Sequence, residues 1–269
     1  MTRQTIALRG GHTELIRTGK GAPLLYLHGF ADVHGASADL LPFHEVLAES
    51  VDLIVPAHIG CAGTADSDDL DSVHQVVEQY IDLADQLGLD TFDLAGHCVG
   101  GWIAAELAVR LPERVRSLSL IGATGLFISG QPIADIFWVA QPEDGIYYND
   151  LRHMLFAAKD SKAGKTLFPD GKGDIAQELL RYQMFRFASR VGFSPPYFYN
   201  RKLIEQLHRY KGPALIVCGE NDHMVPPTHA QAYAKGFKGG RLELAKAAGH
   251  AAHIEQPAVV AKLVAGMCA

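Results

Sequence analysis

The sequence has no paired cysteines, no basic run and no apolar stretch long enough to cross a bilayer, and each absence removes a class of function. Its four cysteines, Cys61, Cys98, Cys218 and Cys268, lie far apart with none of the spacings of a zinc site or a disulfide framework. Reduced thiols, no metal and no other cofactor are therefore expected. Lysines and arginines number 24 against 30 aspartates and glutamates, giving a formal charge of −6, and they are scattered along the chain. A nucleic-acid partner is excluded on that ground. The segment Met1 to Arg9 lacks the apolar core of a signal peptide, which predicts a cytoplasmic protein with no membrane partner. What remains is ordinary globular composition, 48% hydrophobic and 20% charged over 269 residues. That is enough chain for one large α/β core, as a monomer or homodimer.

Short, largely apolar runs at Pro23–Leu27, Val51–Val55, Phe92–Ala95, Ser117–Ile121 and Pro213–Cys218 read as strands of a buried sheet. They alternate with helical periodicity at Leu40–Glu49, Asp71–Leu87, Val99–Leu111 and Pro227–Phe237. A last strand at Arg241–Leu244 precedes a helix around His253–Met267, and two strands near Thr5–Leu8 and Thr13–Arg17 flank Arg9-Gly10-Gly11 as an edge hairpin. Such alternation defines a mostly parallel, doubly wound sheet. From Gly125 to about His208 it stops, and no buried strand is predicted. The division expected is a core of residues 1–124 and 209–269 with an inserted helical cap at 125–208. Of the 23 Phe, Tyr and Trp residues, 14 fall between Leu126 and Asn200, so the cap is expected to roof an apolar pocket. Cationic and anionic residues balance at eight each in that span, which leaves no sign of charge to select a charged substrate.

The stretch that joins these elements into a site is Gly96-His97-Cys98-Val99-Gly100, between an apolar strand and a helix. Glycines on both sides allow backbones to approach, and the corner sets a thiol at the positive end of a helix, where a thiolate is favoured. The segment resembles the nucleophile elbow of the α/β-hydrolase fold, Gly-x-Ser-x-Gly in most members, with Cys98 in the serine position. Cysteine nucleophiles occur in branches of that superfamily such as the dienelactone hydrolases and polyester synthases. The dienelactone hydrolases lack a cap of this size, so their substrate is not carried over.

Two further segments carry the resemblance. Gly219-Glu220-Asn221-Asp222 and Gly249-His250-Ala251-Ala252-His253 each follow a strand, and Cys98, Asp222 and His250 stand in the nucleophile–acid–base order of the fold. The resemblance then implies a catalytic set of Cys98, His250 and Asp222. It also implies an oxyanion hole made by the backbone N–H groups of Phe30, in the His28-Gly29-Phe30 turn, and of Val99. His28 is expected to brace that turn, Cys61 and Cys218 to fill core, and His97, Phe127 and Trp138 to contact substrate. Asp93 and Asp90 sit too early on the elbow strand to reach the rim, and no carboxylate follows Ile121 directly. The His250-x-x-His253 spacing lacks the following glutamate and third ligand of a metal site.

The expected activity is cofactor-free hydrolysis of a small or medium, largely apolar ester, lactone or thioester through a cysteinyl thioester. Acyl transfer or carbon–carbon bond hydrolysis on the same residues, and a non-catalytic ligand receptor, are the alternatives. A cysteine at position 98 is also what replacement of a serine to slow turnover leaves behind; comparing Cys98→Ser with this chain on one ester panel separates the two.

Overall fold

Alternate residues of the central strands face opposite layers, and this period of two builds the molecule. In the computed structural model, residues 1–32, 39–139, 148–171, 174–193 and 198–268 are described, positions 138 and 139 by backbone only. Leu25 and Leu27 join one buried cluster, Leu24 and Tyr26 the other. The strands are β1 (Thr2–Leu8), β2 (Gly11–Gly19), β3 (Pro23–Leu27), β4 (Asp52–Pro56), β5 (Phe92–His97), β6 (Val115–Ile121), β7 (Pro213–Gly219) and β8 (Gly239–Ala245). They form one sheet in the order β1-β2-β4-β3-β5-β6-β7-β8. The hairpin β1–β2 and the pair β2–β4 are antiparallel and every other pair is parallel.

Helices cover both faces. On one lie α1 (Pro42–Ala48) and, at the C-terminal end, a pair of helices described below; on the other lie α2 (Val73–Gln86) and α3 (Val99–Arg110). The α2 stripe buries Val73, Val76, Val77, Tyr80, Leu83 and Ala84. Burying each large aliphatic side chain contributes roughly 1.5–3 kcal/mol. Gly88, at φ +65°, ends the helix in a left-handed turn in which Leu89 N–H donates to the Ala84 carbonyl at 2.9 Å.

Between β6 and β7 the described residues form α4 (Ile136–Val139), α5 (Asn149–Leu155), α6 (Lys162–Leu167), α7 (Ile175–Gly192) and α8 (Leu203–Gln206), with one isolated bridge, Gly125 to Tyr199, as the extended pairing. Buried arginines hold these helices to their own loops: Arg152 donates to the Phe168 carbonyl at 2.6 Å and Arg181 to the Leu167 carbonyl at 2.6 Å. The insertion is tied to the sheet layer through α7, where Arg186 and Arg190 both reach Asp66, at 2.5 and 2.9 Å, and Gln183 accepts from Ala62 N–H. The chain then forms α9 (Pro227–Gly236) beside β8. The helix expected over His253–Met267 is two helices, α10 (Ala252–Glu255) and α11 (Pro257–Ala265), because Pro257 has no N–H to continue the first. Among the described residues no helix is long and apolar enough to cross a membrane.

Candidate active site

Cys98 stands where β5 turns into α3, with φ 53° and ψ −118°, a conformation that non-glycine residues rarely hold. The corner closes because its neighbours lack side chains. A Cβ at Gly100 would lie 2.1 Å from the Leu27 carbonyl oxygen, and one at Gly96 2.3 Å from the Gly100 oxygen. Cys98 N–H donates to the Ile121 carbonyl at 3.0 Å, while its own carbonyl accepts from Trp102 and Thr124 N–H. The residue is 3% exposed.

The loop after β7 brings Asp222 to the same rim. One carboxylate oxygen accepts from Met224 and Val225 N–H at 2.9 and 2.8 Å, and the other faces His250 Nδ1 at 2.9 Å. Burial disfavours the charged carboxylate, but His250 and these backbone donors outweigh it and hold Asp222 below the usual range. With Nδ1–H committed to Asp222, Nε2 of His250 is a buried nitrogen without a hydrogen-bond partner among the described residues. The Cys98 sulfur is its neighbour. Burial alone would depress His250, yet the Asp222 carboxylate and the Cys98 sulfur push it up to about 10. Removing the sulfur removes one of the two groups that raise it. In Cys98→Ala the His250 titration midpoint, followed by NMR of the ring Cε1–H, is therefore expected to fall below that of the unmodified chain; an unchanged midpoint would show that the sulfur is not within electrostatic reach.

Phe30 and Val99 line the small space at Cys98 together with Thr124, Ile136 and Phe198. Among the described residues no protein acceptor takes the N–H of Phe30 or of Val99. The turn before Phe30 is braced as expected of His28: its Nε2 accepts from His58 N–H at 3.2 Å, and the His58 ring sits on Phe187 with centroids 4.5 Å apart. Cys61 is wholly buried with its thiol pushed up by desolvation, and Cys218 is buried in β7. Asp93, at the opposite end of β5, is paired with Arg116 and Ser117.

The three residues expected to contact substrate lie in different surroundings. His97 does not face the pocket: it is fully buried, with Nδ1 3.2 Å from Asp32 and Nε2 3.2 Å from the His250 carbonyl. The alternation along β5 turns it away from the side on which Cys98 projects. Phe127 is 41% exposed and lines a separate apolar cavity of about 370 Å³ instead of the space of about 10 Å³ at Cys98. The Trp138 side chain lies outside the described residues. His250 and His253 do not act as a pair, since the first serves Asp222 and the second Asp32, at 3.1 Å. Asp32, His97 and His253 place one ligand atom each within 4.8 Å of one another. Both histidines turn a nitrogen to Asp32, which also takes the Gly29 N–H and the Tyr26 hydroxyl. Sequence reasoning missed Asp32 altogether, because the two histidines it faces lie 65 and 221 positions away.

A mostly parallel sheet with a thiol on a strained corner after a central strand, and a carboxylate and an imidazole on the loops after later strands, is an arrangement found in a hydrolase class. The family profile described as alpha/beta hydrolase fold matches residues 22–257, and the chain belongs to that family. It is an enzyme, a hydrolase of this fold. Among curated proteins it is similar to 2-hydroxymuconate semialdehyde hydrolase of Pseudomonas sp. (strain CF600), at 27% identity over 97% of this chain and 92% of the relative. It is also similar to monoacylglycerol lipase ABHD6 of Mus musculus, at 26% identity over 92% and 76%. Among solved structures, 2-hydroxy-6-oxo-6-phenylhexa-2,4-dienoate hydrolase from Rhodococcus sp. strain RHA1 superposes with a TM-score of 0.80 at 18% identity, covering 99% of this chain and 98% of that one. Naproxen esterase from Bacillus subtilis gives 0.74 at 19%, covering 98% and 90%.

Proposed function

We propose that the protein is a cofactor-free acyl hydrolase acting on small or medium, largely apolar esters, lactones or thioesters through a covalent intermediate on Cys98. The observation that carries this reading is the line from a buried carboxylate through an imidazole to a thiol on a strained corner, Asp222–His250–Cys98. His250 Nε2 holds the proton given up by the Cys98 thiol, the sulfur of that ion pair attacks the carbonyl carbon, and the carbonyl electron pair moves onto oxygen. The N–H groups of Phe30 and Val99 receive that oxyanion, each worth about 3 kcal/mol of barrier. Collapse expels the alkoxide or thiolate, which leaves with the proton from His250. Water, deprotonated by the same imidazole, then attacks the thioester and regenerates Cys98 with release of the acid.

In this reading residues 125–208 act as a lid over the core formed by 1–124 and 209–269. Phe198 lines both the space at Cys98 and the 370 Å³ cavity, so its ring is the partition between them. The ring rests on Gly192, where a Cβ would approach it to 2.3 Å. Replacing Phe198 by alanine joins the two spaces. The ratio of kcat/KM for p-nitrophenyl octanoate to that for the acetate is then expected to rise about tenfold, given the 1–3 kcal/mol that apolar pocket contacts contribute; an unchanged ratio would place the acyl chain elsewhere.

The covalent route is tested by adding hydroxylamine during turnover of p-nitrophenyl butyrate. Butyrohydroxamate should appear at the expense of butyrate while p-nitrophenol release is not slowed. Hydrolysis without any diversion, or no turnover of any ester, lactone or thioester offered, contradicts the proposal. A second reading, carbon–carbon bond hydrolysis on the same residues, is favoured by the likeness over nearly the whole chain to 2-hydroxymuconate semialdehyde hydrolase. Consumption of 2-hydroxymuconate semialdehyde in preference to esters would select it.

A further inference from the structure

The proposed reaction leaves one buried charged group unused. Asp32 is 0% exposed, and its single carboxylate faces four polar partners. Oδ1 accepts from Gly29 N–H at 2.5 Å and faces His97 Nδ1 at 3.2 Å. Oδ2 accepts from the Tyr26 hydroxyl and faces His253 Nε2 at 3.1 Å. Two of these contacts lead to the reacting groups. Gly29 immediately precedes Phe30, whose N–H points to the oxyanion position in the reading above. His97, through its other nitrogen, lies 3.2 Å from the carbonyl of His250. Packing closes the same triangle, since a Cβ on Gly29 would lie 2.4 Å from His97 Nδ1 and 2.7 Å from the Cys98 Cβ.

A carboxylate taken wholly out of water is costly unless its partners are charged and well placed, and an apolar side chain would brace the turn more cheaply. What an apolar side chain cannot do is fix direction. Oxyanion donors and a general base act only when held to within about 0.5 Å of their productive geometry. One carboxylate bound to the turn on one side and to His97 on the other holds both in a common frame.

We propose that Asp32 is a positioning residue for acyl transfer at Cys98, acting through Gly29 on the Phe30 N–H and through His97 on the His250 loop. Asp32 touches no reacting atom. This inference rests on the reading of Cys98 as the acyl acceptor, and the test is arranged to separate the two.

The test compares Asp32→Asn, His97→Asn and Tyr26→Phe, with p-nitrophenyl butyrate as the acyl donor. The tyrosine variant removes a donor from the same carboxylate but lies on neither route to the reacting groups. Asp32→Asn and His97→Asn are each expected to slow the pre-steady-state acylation of Cys98 by about 10- to 100-fold, the scale of misplacing one donor or base. KM should change by less than about threefold, because uniform binding is untouched. The double variant should be little slower than the worse single one, as expected of residues acting in series. Tyr26→Phe should acylate within about threefold of the unmodified chain even if its unfolding midpoint falls.

A structural role alone predicts that Tyr26→Phe and Asp32→Asn lose activity alike, or that folded Asp32→Asn and His97→Asn keep it; either result overturns the proposal. The His250 Nδ1–H proton resonance gives a readout independent of turnover. It should move in Asp32→Asn and His97→Asn and stay in place in Tyr26→Phe. If the unmodified chain takes no acyl group from the ester, the proposed function has failed and this resonance alone decides the network, an unmoved signal overturning it. Should Asp32→Asn not fold, His97→Asn carries the same comparison.

Discussion

Replacement of His250 by alanine is expected to lower the rate of acyl transfer to Cys98 by about 10³-fold or more, with a far smaller change in KM, on the scale of removing one member of such a set. The imidazole does two things that no neighbour can take over. It accepts the thiol proton on Nε2, and it carries the resulting charge against Asp222, 2.9 Å from Nδ1. His97 and His253 are buried close by, but each ring turns a nitrogen to Asp32, and the other nitrogen of His97 lies at the His250 carbonyl. Asp222→Asn should be milder or comparable, because the amide can hold the ring but can present its N–H₂ to Nδ1 and so stabilise the wrong tautomer. Pre-steady-state release of p-nitrophenol measures both. Folded His250→Ala that acylates within tenfold of the unmodified chain would remove His250 from the reaction.

Gly100→Ala should be severely damaging to the sheet layer. Its Cβ would stand 2.1 Å from the Leu27 oxygen and 2.4 Å from the His28 oxygen, both backbone atoms with no rotamer to move aside. Relief requires α3 to shift away from β3, opening the core cluster that includes Leu27, Val99 and Ile103. Overpacking of a close-packed interior costs about 1–3 kcal/mol and more where backbone must move, so a loss of about 3 kcal/mol or failure to accumulate as folded protein is expected. The comparison is Gly130→Ala, where nothing lies within 4 Å and only φ +73° opposes the change. There about 1 kcal/mol is expected. Urea unfolding midpoints measure the pair. A Gly100→Ala protein as stable as Gly130→Ala would contradict the close approach on which the elbow depends.

These two expectations draw on different amounts of sequence information. The elbow was legible because its glycines, apolar strand and helical periodicity sit within a dozen consecutive residues, and because a backbone packed at that distance leaves few other choices. Asp222 and His250 were legible as candidates since each follows a strand, and parallel strands deliver their following loops to one rim. The strands and the hairpin are legible for a related reason: short runs rich in apolar residues, flanked by turn residues. Side-chain direction was less accessible. His97 adjoins Cys98 in sequence, yet the alternation of β5 turns it beneath the site, where it meets a carboxylate from a different loop. Asp32 gave no local signal, for its four partners come from β3, its following turn, β5 and α10. Helices α4 to α8 were foreseen only as a class, because their order against the sheet rests on contacts such as Asp66 with Arg186 and Arg190 that no periodicity encodes.

The measurement that bears most directly on the account is the mass of the protein quenched in acid within the first turnover of p-nitrophenyl butyrate, followed by peptide mapping. The account predicts one added butyryl group, carried by the peptide containing Cys98, absent from Cys98→Ala and lost on treatment with neutral hydroxylamine. An unmodified Cys98 during active turnover, or a butyryl group on another side chain that is still formed in Cys98→Ala, would contradict it.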